Sequence, residues 1–156
     1  MSVLALPSKI VSGGQTGVDR AALDIAIELN ITHSGWCPAG RLAEDGIIDT
    51  QYNLRETGEK DYITRTTLNV RDSDGTLILH CGEMEGGTAA TATLANKMDK
   101  PCLVINLLQP SRKQVIYDWL SNNNINVLNI AGPRESKQPG IYNLATGFLR
   151  ILFSGD

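Results

Sequence analysis

Lys9-Ile10-Val11-Ser12-Gly13-Gly14-Gln15-Thr16-Gly17-Val18-Asp19-Arg20 decides how this chain is read. Lys9–Ser12 is a short apolar strand that ends in a glycine pair. From Gly17 to Leu29 the spacing predicts a helix. Val18, Ala21, Ala22, Ile25, Ala26 and Leu29 fill most of its surface, and Arg20, Asp24 and Glu28 form one polar stripe at four-residue steps. Glycines at such a turn let backbone N–H groups approach an anion, and the helix N-terminus adds partial positive charge. The spacing is neither Gly-x-Gly-x-x-Gly nor a P-loop, because no Gly-Lys-Ser/Thr follows. The same residues also suit a tight turn with Thr16 and Asp19 as a capping pair and no ligand.

Outward from that unit, strands and helices alternate. Strand-like runs are Thr32–Trp36, Thr76–Cys81, Cys102–Leu107 and Asn126–Ala131. Helical spacing covers Tyr62–Arg71, Thr88–Met98, Ser111–Asn122 and a last stretch carrying Ile141, Leu144, Ala145, Phe148, Leu149 and Leu152. Continuously apolar strands that alternate with helices predict a parallel sheet covered on both faces. The expected fold is α/β, a Rossmann-like doubly wound sheet of about five mostly parallel strands in three α/β/α layers. Residues 37–61 are rich in Gly, Pro and charge and have no clear period. They read as an irregular, lid-like insertion within one domain spanning 1–156.

Bulk properties narrow the function. The chain has 156 residues, 42% of them apolar and 20% charged, which suits one domain that buries its own core. A net charge of −3 provides no basic field and argues against general nucleic-acid binding. No apolar run is long enough for a bilayer. Met1–Pro7 lacks the basic start and length of a signal peptide, so a cytoplasmic location is expected and the Asn30-Ile31-Thr32 sequon carries no weight. Cys37, Cys81 and Cys102 form no C-x-x-C, so neither a disulfide scaffold nor a protein metal site is expected. His33 and His80 stand alone and read as structural, hydrogen-bonded histidines.

Three loops fall at the carboxyl edge of the strands, where open α/β sheets bind ligands. The first is Gly13–Gly17. The second, Gly82-Glu83-Met84-Glu85-Gly86-Gly87-Thr88, also precedes a helix, with Thr88 as a candidate N-cap, and its two glutamates suit a solvated loop first, or else contact with a ribose hydroxyl or a metal. Two helix N-termini aimed at one crevice suit a diphosphate, or a phosphate with an attached ring. The third is Gly132-Pro133-Arg134-Glu135-Ser136. Arg134 offers a planar fork to phosphate or pairs with Glu135 or another carboxylate, and both readings stay open. Trp36, Arg41, Asp45, Tyr52 and Tyr62 supply groups suited to a ring and its polar edge, although Trp36 equally suits a core. Arg65, Asn69 and Asp72 share one helix face that is ordinarily solvated.

Gly13-Gly14-Gln15-Thr16-Gly17-Val18-Asp19-Arg20, Trp36-Cys37-Pro38, Arg65-Thr66 with Asn69-Val70 and Asp72–Thr76, Gly86-Gly87-Thr88, and Ala131–Ser136 together resemble a known family. It is the "putative molybdenum carrier" family, a circularly permuted, YpsA-type branch of the SLOG superfamily related to the LOG proteins. The resemblance spans about Lys9 to Phe153. It implies a Rossmann-like fold, phosphate contacts at the glycine loops, and molybdenum cofactor, a pterin with a terminal phosphate, as the carried ligand. By position, Gly13, Gly14, Gln15, Thr16, Gly17, Arg20, Gly86, Gly87, Thr88 and Arg134 are the candidate phosphate-binding residues. Trp36, Arg41, Arg65 and Asn69 are candidates for ring or lid contacts. A homo-oligomer is implied by analogy with the superfamily. The LOG enzymes carry a catalytic carboxylate in Gly-Gly-x-Gly-Thr-x-x-Glu. Here Thr91 takes that position in the second loop, and Asp19 lies three residues after Thr16 in the first.

Three functions follow from one crevice. A carrier of molybdenum cofactor, or of another small phosphorylated pterin or nucleotide-like ligand, needs only phosphate loops and a ring pocket, and no nucleophile–base pair is evident. The alternative is a phosphoribohydrolase-like enzyme that cleaves an N-glycosidic bond, with Asp19 as its catalytic acid or base. A nucleotide-sensing module is the third.

Overall fold

The central strand of the sheet is the last strand in the chain. In the structure, a computed structural model describing residues 6–84, 86–110 and 113–154, the elements in order are β1 (Lys9–Val11), α1 (Val18–Glu28), β2 (Thr32–Ser34), β3 (Trp36–Cys37), β4 (Leu42–Ala43), β5 (Gly46–Ile47), β6 (Arg55–Glu56), α2 (Tyr62–Arg71), β7 (Gly75–His80), α3 (Gly86–Lys97), β8 (Cys102–Asn106), α4 (Lys113–Asn122), β9 (Val127–Ala131) and α5 (Ile141–Ser154). Met1–Ala5 of the N-terminal stretch, Glu85 of the second loop and Ser111 at the expected start of a helix lie outside the described residues. The main sheet runs β2-β1-β9-β7-β8, and every pairing in it is parallel. Started from β7, the same order reads 2-1-3-4-5, one of the two common doubly wound arrangements.

Register explains the layers. Ile10 pairs with Leu128, and Leu77 with Ile130 and Leu103, so one sheet face presents aliphatic side chains. They pack against Ala21, Ile25, Ile116, Leu120, Leu149 and Leu152, which places α1, α4 and α5 on that face. Each fully buried Leu or Ile contributes roughly 2 kcal/mol. On the other face α3 lies against β7 and β8, with α2 beside it against β3. Thr88, Thr91 and Ala95 are the buried residues of α3, and their small size lets it lie close to β7 and β8. No helix is long and apolar enough to cross a membrane among the described residues.

The segment expected to be irregular is built. β3 pairs with β6, β4 with β5, and Cys37, Ile48 and Tyr52 form a small core with Leu23 of α1. One guanidinium organises it. Arg41 donates to the carbonyls of Ile48, Asp49, Tyr52 and Leu54. The polar stripe of α1 is a docking strip for this segment and for α5. Arg20 binds Asp45, Asp24 accepts from the hydroxyls of Tyr52 and Tyr142, and Glu28 pairs with Arg150.

Candidate functional site

Connections from β1 and β9 turn to the α1–α5 face, while that from β7 turns to α3. A crevice of about 220 Å3 opens at the carboxyl edge where they part. Its lining brings together Gly13, Gln15, Asp19, Arg65, Asn69, Gly87, Thr88 and Arg134 of the expected residues. Tyr62, one of the groups expected to suit a ring, lines it too, and it adds Thr66, Thr91, Asn129 and Lys137. Two of these additions left a trace in the sequence. Thr66 continues the helical spacing of Tyr62 and Asn69, and Asn129 is a polar interruption of the apolar run Val127–Ala131. Lys137 has no such signal.

The floor is a buried ion pair. Arg65 Nη1 lies 2.8 Å from Asp19 Oδ2, and Asp19 is 3% exposed. Burial pushes the Asp19 carboxyl up from its ordinary range, while Arg65 and the Gln15 backbone N–H pull the other way. The Tyr62 ring lies beside the Arg65 guanidinium, 5.3 Å from its centre. Gly13 makes room for the pair: a Cβ there would collide with Arg65 Nη1. Arg65 and Asn69 are therefore not solvated, whereas Asp72 is exposed. Asn69 donates to and accepts from the Trp36 backbone, and Asp72 accepts from the Trp36 indole.

The first glycine loop is closed on the protein itself. The Thr16 N–H donates to the Gln15 side chain and the Val18 N–H to the Pro133 carbonyl. Gly17 has φ +77°, and a Cβ there would collide with Pro133 O. The expected capping pair does not form. Gly17 is the N-cap without a side-chain bond, Thr16 donates to Glu44, and Asp19 turns to Arg65. Nor is Thr88 an N-cap, since α3 begins at Gly86 and Thr88 is buried in its first turn.

Gly14, Thr16, Gly17, Gly86, Arg20, Trp36 and Arg41 do not line the crevice. Arg20 is bound to Gly14 O and Asp45. Trp36 lines a separate hollow with Arg55 and Asp72, and Arg55 stacks on its ring. His33 is satisfied by the Asn53 N–H, whereas buried His80 leaves Nδ1 without a partner among the described residues, against the expectation for it.

Arg134 pairs with Glu44, at 3.6 Å, rather than with Glu135. Glu135 instead accepts from the N–H groups of Gly140 and Tyr142 at the start of α5. Glu44 also accepts from Thr16 Oγ1 and from Ser136 N and Oγ, and its own N–H donates to Gln15 Oε1. Burial opposes its charge, but the Ser136 and Thr16 donors and Arg134 outweigh burial and hold its carboxyl below the usual range. Glu44 carries no periodic signal in the sequence.

Residues 10–153 match the circularly permutated YpsA SLOG family. The chain is also similar to a crystal structure from Syntrophus aciditrophicus SB described as a "putative molybdenum carrier protein", with 48% identity over 94% of each chain and a TM-score of 0.91. No curated protein matches. The strand order, which becomes 2-1-3-4-5 only when the chain is started at β7, agrees with a permuted connection. The chain belongs to the circularly permuted YpsA SLOG family.

Proposed function

We propose that this protein binds a small phosphorylated, ring-bearing ligand in the crevice, of the class of molybdenum cofactor. One observation carries the reading: the first turn of α3 (Gly87, Thr88) and two cationic residues, Arg134 and Lys137, line the same hollow. A helix N-terminus facing Arg and Lys suits a phosphate. Tyr62, Thr66 and Asn129 supply a ring face and polar edge groups nearby. The similar protein's description as a molybdenum carrier supports the choice of ligand class. The test is calorimetry with a phosphorylated pterin, adenosine 5′-monophosphate and their dephosphorylated counterparts. Phosphate-dependent binding is expected, and no binding to any of them refutes the reading. Native mass spectrometry of freshly purified protein would identify a retained ligand and report whether copies of the chain assemble.

A second reading rests on Asp19, a buried carboxyl at the crevice floor beside Arg65. As an acid or base it would serve cleavage of an N-glycosidic bond in a nucleoside monophosphate. Base release that disappears in Asp19→Asn supports it. Release that survives removes Asp19 from the role.

A further inference from the structure

Glu44 already occupies a site suited to an anion. Its carboxylate gathers Thr16 Oγ1, Ser136 N and Ser136 Oγ as donors, with Arg134 Nε at 3.6 Å. A backbone N–H, two hydroxyls and a guanidinium form a donor set that a phosphate oxygen also selects. The subsite adjoins the crevice, because Arg134 lines both and Gln15, which lines the crevice, accepts from the Glu44 N–H.

The hairpin that carries Glu44 is held by polar contacts. Its apolar side chains Leu42 and Ile47 are exposed, Ile47 at 78%. Gly46 has φ +117° and open space around it. Asp45 binds Arg20 on the other side of the turn, and Ile48 anchors the base in the small core. Releasing Glu44 leaves the tip on the Asp45–Arg20 pair and the Glu44 N–H bond to Gln15, with Ala43 against the small core, so the hairpin opens only by also giving up these polar contacts. The crevice also needs room. At about 220 Å3 it falls below the roughly 300–1,000 Å3 of small-molecule pockets.

We propose that Glu44 is a resident stand-in for the ligand's anionic group. The ligand's phosphate displaces the Glu44 carboxylate from Thr16, Ser136 and Arg134, and the freed β4–β5 hairpin swings as a gate. Arg134 is then an exchangeable cation, passed from an internal carboxylate to the ligand. The proposal rests on the binding function above and adds a closed state to it.

The experiment compares wild type with Glu44→Gln, using adenosine 5′-monophosphate, inorganic pyrophosphate and adenosine as calorimetric probes. Losing the competing charge should tighten binding of the two phosphorylated probes by about tenfold or more, since a hydrogen bond to a charged group is worth roughly 1.5–3 kcal/mol. Adenosine should be unaffected. Binding to the variant alone also supports the gate. Equal or weaker binding by the variant overturns the gate and leaves the binding function standing. If neither protein binds any probe, the gate falls, and the binding function falls with it when the phosphorylated pterin fails to bind as well. Hydrogen exchange of the wild type supplies a measurement that does not depend on the variant's fold. Amides 42–48 should exchange faster with saturating ligand than without it, and slower exchange there overturns the proposal.

Discussion

Arg65 reaches past the bare α-carbon of Gly13 to meet Asp19 at 2.8 Å. The glycine is required by a neighbour's side chain. Gly13→Ala should force Arg65 off its partner and cost about 3 kcal/mol, the range for overpacking or a broken buried pair. Urea unfolding measures it. In an Arg65→Ala background the same alanine should cost much less, and full additivity of the two would refute this account.

Alkaline pH should loosen the junction at Asp24. Burial, and then the hydrogen bond to Asp24, push the Tyr142 hydroxyl up to about 12, and the same causes push Tyr52 up further. A phenol with a raised folded pKa contributes stability that is complete below its unfolded value of about 10. That contribution is lost as pH rises through about 12 for Tyr142. Absorbance titration near 295 nm should show Tyr52 and Tyr142 among the late phenols, beside Tyr117, which burial alone raises, and only the first two should shift down in Asp24→Asn.

Arg41→Lys should be severe for a conservative change. One ammonium cannot serve four carbonyls spread over Ile48–Leu54. A loss of about 2–4 kcal/mol of local stability is expected. Amides 48–54 should lose hydrogen-exchange protection while β7 and β9 keep theirs.

Lys137→Ala isolates the phosphate end of the crevice, because Lys137 forms no ion pair among the described residues. Affinity for a phosphorylated ligand should fall about tenfold, with a shallower salt dependence, and affinity for the dephosphorylated form should not change. Equal losses for both ligands would place the phosphate elsewhere.

The sheet was legible because its information is local. Runs such as Leu77–Leu79 and Leu128–Ile130 are strand-like at a glance, and periodicity finds the helices. The crevice was half legible for the same reason: Gly13, Asp19, Gly87 and Arg134 sit just beyond strand ends, and strand ends converge in this fold. What the sequence hid was pairing. Nothing in the order of residues says that Glu44 bonds Ser136, that Arg41 collects carbonyls from Ile48 to Leu54, or that Gly17 backs onto Pro133. Such bonds join positions with no common period. Part of the glycine row, Gly14 and Gly17, packs against the protein itself while Gly13 lines the crevice, and a polar helix stripe proved to be a docking strip.

The position of β9 also sets a timetable. In the main sheet the β1–β2 pair and the β7–β8 pair meet through β9, which is made after the other four strands. Until residues 127–131 are available, the two halves of the sheet have no shared edge, and Asn129 and Arg134 are missing from the crevice. Under the proposed binding function, capture would wait until β9 and Arg134 have joined the sheet, so a ligand would not template the earlier stages of folding and would only stabilise the assembled sheet.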